Sequence, residues 1–187
     1  MVRNPIRLFA AAAAALLLLA DAPAQAGQDT KTFNATASVN AKCVLSAISD
    51  LAFGAYDPVT ANASVALPGS TSFTLTCTRN SGPVIELSYA NANFGQNLAG
   101  KRSMNNGTNA AGNYLSYDLF VPNGVGDSST ASPTVAYWGD GASGTSTFAP
   151  SVPTIAAQTI TIFGTIPGGQ DVATGTYTDS VTATVNF

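Results

Sequence analysis

Residues 175–187 read GTYTDSVTATVNF, and apolar and polar side chains alternate along this stretch. The apolar parity holds Tyr177, Val181, Ala183, Val185 and Phe187. Only Asp179 interrupts that parity, while threonine, serine and asparagine occupy the other. Because successive side chains of a strand point to opposite faces, the pattern predicts a β-strand with one face in a core.

A second stretch near the other end has the same period of two. Over residues 32–43 one parity holds Phe33, Ala35, Ala37, Val39, Ala41 and Cys43. This predicts another amphipathic strand, so two such strands lie at the two ends of the chain. We hypothesise that the protein acts through strand exchange between copies and performs no chemistry. The pattern alone equally allows the two strands to pair with each other, or with the sheet, inside one closed monomer.

The first residues have the order of a secretory signal peptide. Arg3 and Arg7 precede an apolar run over residues 8–20, and small residues lead to a predicted cleavage site after Ala26. The run is shorter than the roughly 20 residues that a membrane span needs. We therefore expect export, with a mature chain that is not embedded in a membrane.

Composition indicates a small all-β domain. Only 9% of residues are charged, there are 17 glycines and 10 prolines, and removing residues 1–26 moves the formal net charge from −3 to −4. An acidic chain argues against a nucleic-acid partner. Seven or so short segments separated by turns predict one antiparallel β-sandwich. They include a short strand over residues 51–56 and strands over residues 71–77, 113–121 and 159–166. The strand over residues 113–121 has Leu115, Tyr117, Leu119 and Val121 on one parity.

Two cysteines, Cys43 and Cys77, are the only ones in the chain. In an oxidising compartment they are expected to form a single disulfide, which would tie two strands across the core if both side chains point inward. A metal or redox pair is the competing interpretation. The absence of histidine and of a nearby second cysteine disfavours it.

The sequence offers no recognisable catalytic set, and we predict neither an enzyme nor a cofactor. Without histidine there is no Ser-His-Asp arrangement. The scattered acids suit turns, although two of them could still converge in space as in a glycosidase. Gly168, Gly169 and Gln170 read as a turn. Trp138 with Tyr137 could stack on a sugar, but a lone tryptophan beside a glycine turn more often belongs to the core.

Residues spread in order through the chain give it a specific resemblance to a known family. They are Cys43, Leu51, Phe53, Gly54, Tyr56, Thr74, Leu75, Cys77, Arg102, Met104, Tyr114, Leu115, Tyr117, Leu119, Phe120, Trp138, Gly139, Gly164, Ile166, Pro167, Gln170, Gly175, Tyr177, Asp179, Val181, Val185, Asn186 and Phe187. The set resembles the spore coat protein U domain family, which includes subunits of archaic chaperone-usher pili.

That resemblance implies an immunoglobulin-like sandwich that lacks its last strand. It divides the chain into a signal peptide (1–26), an N-terminal extension or donor strand (27–42) and a pilin domain (43–187). Phe33, Ala35, Ala37 and Val39 would be the side chains that the donor strand inserts. Tyr177, Val181, Ala183, Val185 and Phe187 would line the acceptor groove of a neighbouring subunit. The register is left open because three of the four donor side chains are small or moderate in size.

The function implied is that of a secreted structural subunit of a surface fibre for adhesion or biofilm formation. Its expected partners are neighbouring pilin subunits, a periplasmic chaperone and an outer-membrane usher. Its expected location is the periplasm and then the cell surface. Two alternatives stay open, namely a coat protein of the same fold that does not polymerise and a carbohydrate-binding module.

Overall fold

The computed structural model describes residues 26–89, 93, 95–108, 110–123, 133–152 and 154–187, with the backbone alone for 133–135. Residues 1–25 of the predicted signal peptide lie outside this set. The chain divides into two units, Met1–Ala37 and Ser38–Phe187. Within the described ranges, no helix is long and apolar enough to cross a bilayer.

Residues 26–42 contain no strand, and every one of them is exposed. Phe33 is 89% exposed and Val39 is 83% exposed. The strand predicted over residues 32–43 is therefore realised only from Cys43 onward. A strand forms only where its backbone pairs with a neighbouring strand, and residues 32–42 have no such partner among the described residues.

The described residues of the second unit form eight strands, and every ladder between these strands is antiparallel. They are β1 (Cys43–Leu45), β2 (Leu67–Cys77), β3 (Val84–Leu87), β4 (Arg102–Asn105), β5 (Tyr114–Pro122), β6 (Pro133–Tyr137), β7 (Gln158–Ile166) and β8 (Ala183–Asn186). The predicted all-β, antiparallel class is confirmed. The predicted strand starting at Thr71 begins earlier, at Leu67.

The strand order is that of an immunoglobulin-like sandwich without its last strand. One sheet has the order β1-β2-β7-β5-β4, with β6 also on β5, and the other pairs β3 with β8. The order β1-β2-β7-β5 corresponds to strands A, B, E and D of the immunoglobulin fold, and β3-β8 corresponds to C and F. The G strand, which would pair with F, has no counterpart among the described residues.

Apolar side chains from both sheets meet in one core. It includes Phe73 and Leu75 of β2, Ile85 of β3, Leu115 of β5 and Ile160 of β7. On β5 the predicted parity is confirmed, because Leu115, Tyr117, Leu119 and Val121 all belong to the core.

Trp138 also lies in this core. It is fully buried, its Nε1 donates to the carbonyl oxygen of Ile85 at 3.1 Å, and its ring meets Phe148 edge-on with centroids 5.7 Å apart. The indole N–H thus has the partner that a buried tryptophan requires. Core packing, the preferred interpretation of this residue, is confirmed.

The Cys43–Cys77 disulfide is present, as expected. The two residues stand directly opposite each other in the β1–β2 ladder. The disulfide therefore joins neighbouring strands of one sheet, and the expectation that it would cross the core is wrong. Side chains that stand opposite each other on neighbouring strands lie within disulfide reach. Two cysteines can therefore both face the core and still pair within one sheet.

Two further segments differ from their predictions. Residues 51–56, predicted as a short strand, form no ladder. The predicted final strand, residues 175–187, forms a ladder only over Ala183–Asn186, with an isolated bridge from Thr178 to Asn105. Its alternation persists throughout, because Tyr177, Asp179, Val181, Ala183 and Val185 are half-buried between exposed neighbours. The alternation therefore predicts which side chains point inward, even where the backbone ladder is incomplete.

Candidate functional site

A groove runs across the sandwich between residues 48–56 and residues 172–183. It consists of two adjoining cavities, of about 570 Å³ and about 360 Å³. Both cavities are lined by Leu51, Phe53, Met104 and Tyr177, which makes the groove continuous. This depression lies beside the incomplete sheet of β3 and β8, and we define it as the acceptor groove.

The floor of the acceptor groove is apolar and comes from both sheets. Leu115 and Ile166 lie beneath the larger cavity, while Leu87, Leu119 and Ile162 lie beneath the smaller one. These side chains belong to the hydrophobic core of the sandwich. A ligand seated in the groove would therefore contact core residues directly.

The first wall of the groove, residues 48–56, packs over a pair of glycines that stand opposite each other in the β2–β7 ladder. Gly69 of β2 and Gly164 of β7 are Cα partners, and the side chains of Leu51 and Phe53 fill the space above them. A Cβ atom on Gly164 would stand 2.7 Å from Cζ of Phe53. The missing side chains of this pair thus create the seat in which the wall packs.

A buried glutamine fastens the same wall to the larger sheet. The hydroxyl of Tyr56 donates to the carbonyl oxygen of Pro167 at 3.0 Å and accepts from the backbone N–H of Gln170 at 3.0 Å. The Gln170 amide in turn accepts from the N–H of Ser116 and donates to its carbonyl oxygen, at 2.8 and 2.9 Å. The predicted turn at Gly168–Gly169–Gln170 is confirmed, and its glutamine is a structural clamp that was not anticipated.

The second wall of the groove, residues 172–183, has an open backbone edge. Thr178 exchanges two backbone hydrogen bonds with Asn105, and the carbonyl oxygen of Thr182 accepts from Ser88, so these residues face β3 and β4. Backbone groups alternate in direction along an extended chain. Those of Tyr177 and Val181 accordingly point the other way, where no described residue binds them.

A hydrogen-bonded polar pair lies in the lining of the smaller cavity, which also includes Ser49, Asp50, Thr71 and Thr178. The Tyr117 hydroxyl donates to Oδ2 of Asp179 at 2.6 Å, and both residues line the smaller cavity. Burial, and then the hydrogen bond to Asp179, raise the pKa of Tyr117 well above its ordinary value. The sequence marked Asp179 as a break in the apolar parity and placed both residues in the ordered set, but it did not predict the hydrogen bond between them.

A buried arginine supports this polar pair. Arg102 is 1% exposed, donates to the carbonyl oxygens of Ser88 and Trp138, and stands 5.0 Å from the Tyr89 ring centroid. Burial lowers its pKa, whereas the nearby Tyr117 and Asp179 act in the opposite sense. The guanidinium is thus positioned to offset the negative charge of Asp179.

The residues predicted for the acceptor groove are placed as follows. Tyr177, Val181 and Ala183 line the cavities, and Val185 packs against the core. Phe187 lines neither cavity and is 54% exposed. The sequence prediction missed the opposite wall, Leu51 and Phe53, although both belong to the ordered set that carries the family resemblance. The donor residues Phe33, Ala35, Ala37 and Val39 are exposed, and their role stays a prediction.

The other candidate sites are placed differently. Trp138 is fully buried and cannot stack on a sugar, while Tyr137 packs against Phe120 and Lys101. Asp57 accepts hydrogen bonds from the N–H groups of Val59 and Thr60, and the Thr60 hydroxyl and these N–H groups lower its pKa. This acid therefore has the turn role that the sequence favoured.

Residues 29–184 match the Spore Coat Protein U domain. The chain belongs to this family. It is 32% identical over 185 residues to "Protein U" of Myxococcus xanthus, covering 95% of this chain and 96% of that protein. The predicted family membership is confirmed.

A solved structure also resembles the chain. It is the CsuC–CsuE chaperone–tip adhesion subunit pre-assembly complex from archaic chaperone-usher Csu pili of Acinetobacter baumannii, with 20% identity and a TM-score of 0.49. The match covers 80% of this chain but only 40% of that one.

Proposed function

We propose that this spore coat protein U domain is a secreted structural subunit that polymerises into a surface fibre by donor-strand complementation. One observation carries the proposal, namely the acceptor groove beside the open edge of an immunoglobulin-like sandwich that lacks its last strand. The occupant is the N-terminal extension of the next subunit. Its exposed residues 33–39 alternate with the period of a strand.

β-Augmentation supplies the physical basis. A strand added to the open edge forms backbone hydrogen bonds, each contributing about 1 kcal/mol net, and its alternate side chains fill the cavities. The contact is head-to-tail, because the donating and accepting surfaces of a copy differ. Such a contact does not close on itself and produces a filament.

The same physics implies helpers during secretion. An open edge above an exposed apolar floor favours aggregation, so a periplasmic chaperone would cover the groove until the next subunit arrives. An outer-membrane usher would then exchange the chaperone for the incoming extension. Membership of the spore coat protein U domain family supports these partners and export to the surface. A role in adhesion or biofilm formation is part of the same proposal.

Sheared surface material from the parent cells provides the test. It is run in SDS, unheated and heated, and probed with an antibody to this chain. Strand-swapped polymers should give a ladder that collapses on heating to one band near the mature monomer. A monomer in both lanes would overturn the proposal and favour a non-polymerising coat protein, to which the family name gives some support.

Matched pairs of substitutions test which side chains of the N-terminal extension insert into the acceptor groove. Phe33→Asp with Val39→Asp alters the predicted inserting parity, whereas Asn34→Asp with Ser38→Asp adds the same charge to the opposite parity. The first pair should abolish the ladder while a periplasmic monomer persists, and the second pair should retain the ladder. Deleting residues 27–40 should leave a chaperone-bound subunit that accepts a strand but cannot donate one. Long fibres from that deletion would contradict the donor assignment.

A further inference from the structure

Four inward positions on the second wall match four side chains of the donor segment. Residues 177, 179, 181 and 183 face the acceptor groove at a spacing of two. Residues 33, 35, 37 and 39 have the same number and spacing. A one-to-one fit places Ala37 opposite Asp179 when the strands are antiparallel and Ala35 opposite Asp179 when they are parallel. In either direction an alanine faces the one acidic position, and the larger Phe33 and Val39 stand at the two ends.

The carboxylate of Asp179 is held in place by its neighbours. Tyr117, which is 3% exposed, donates to Oδ2, and the backbone N–H of Ser180 donates to Oδ1 at 2.8 Å. The residue is half-buried and lines the open groove, so water can reach the carboxylate from that side. A bulky apolar side chain above it would displace that water and supply no hydrogen bond. Burying a charge in this way is costly, whereas an alanine methyl leaves room for water.

We propose that Asp179, oriented by Tyr117, determines the register and selectivity of the acceptor groove. It admits donor strands of neighbouring copies that present a small side chain at this position and disfavours those that present a bulky one. The inference rests on the proposed function, because it concerns the same groove and the same occupant. It also accounts for the small donor residues, which would be a requirement of the acceptor and not a weakness of the donor.

Two single substitutions in the full chain test the inference. Of Ala35→Leu and Ala37→Leu, one faces Asp179 and the other faces Val181. The first should reduce the heat-sensitive SDS ladder at least about tenfold, and the second should leave it within about twofold, because leucine adds apolar contact opposite valine. The identity of the harmful variant also gives the direction of the donor strand. Thr36→Leu, on the opposite parity, is the matched control for added bulk.

Rescue by the acceptor distinguishes selectivity from simple crowding. Asp179→Ala, combined with the harmful leucine, should restore most of the ladder, since the charge that opposed burial is gone. Asp179→Asn keeps the size of the side chain and should restore it in part. Leucine tolerated at both positions, or harmful at both without rescue by either Asp179 variant, would overturn the inference while the proposed function stands. A wild-type chain that forms no ladder would overturn both.

Discussion

The ring of Phe53 occupies the space above Gly164 in which a side chain would otherwise stand. A Cβ on that glycine would lie 2.7 Å from Cζ of Phe53 and 2.8 Å from Cδ2 of Leu51. The same ring meets Tyr117 edge-on, with centroids 6.0 Å apart. One glycine thus positions a wall of the acceptor groove and, through Phe53, the tyrosine that holds Asp179.

Gly164→Val should therefore displace the first wall. Overpacking of this kind costs about 1 to 3 kcal/mol, and we expect the free energy of unfolding in urea to fall by that amount. The SDS ladder should weaken as well, because Leu51 and Phe53 line both cavities. Adding Phe53→Leu should recover part of the loss, and a double-mutant cycle measures the coupling. Independent, additive effects would contradict the packing argument.

The side chain of Gln170, the clamp of the first wall, should contribute strongly to the stability of the domain. Gln170→Ala leaves the backbone N–H and carbonyl of Ser116 without their amide partner in a buried position. We expect a loss of about 2 to 6 kcal/mol in the free energy of unfolding, since each of the two unsatisfied buried groups costs about 1 to 3 kcal/mol. The exposed Gln96 is the matched control, and Gln96→Ala should cost less than about 0.5 kcal/mol. Equal losses in the two variants would contradict the clamp.

The sequence predicted the fold well because alternation is a local signal. Strands β5 and β7 lie within one residue of their predicted bounds, while β2 begins four residues earlier than predicted. The apolar parity of residues 177–185 is the parity that faces inward. The first wall was mispredicted because residues 51–56 have the composition of a strand and no ladder partner. A ladder depends on distant residues, which a local pattern does not contain.

The groove was half predicted for the same reason. Its second wall is a single amphipathic stretch and can be read from one segment. Its first wall depends on Gly69 and Gly164, which are Cα partners in the β2–β7 ladder although they lie 95 positions apart in the sequence. The Tyr117–Asp179 hydrogen bond likewise joins residues 62 positions apart. Contacts of this range follow from topology, which the alternation of one strand does not specify.

Replacing both cysteines by serine should lower the stability of the domain. The disulfide closes a loop with a sequence separation of 34, which corresponds to about 3 to 4 kcal/mol in the chain-entropy model. Urea unfolding of the Cys43→Ser, Cys77→Ser chain measures the loss. Wild-type protein in excess reductant should show the same reduced stability, and reductant should not affect the double variant. A reduced wild type as stable as the oxidised form would contradict a stabilising role.

Tyr117 should make the domain unstable at alkaline pH. Burial and the hydrogen bond to Asp179 raise its pKa above the ordinary 10.0, so below pH 10 both folded and unfolded states keep the proton and stability is unaffected. Above pH 10 the unfolded state loses the proton and the folded state retains it, so the free energy of unfolding falls by up to about 1.4 kcal/mol per pH unit. Tyr117→Phe removes this contribution to the pH dependence of the free energy of unfolding. A smaller pH dependence should remain in that variant, because the pKa values of Tyr89 and Tyr177 are also raised. Urea unfolding of both proteins at pH 9, 10 and 11 should show the wild-type advantage shrinking as pH rises. An advantage that stays constant over this range would mean that Tyr117 ionises as readily in the folded chain as in the unfolded one.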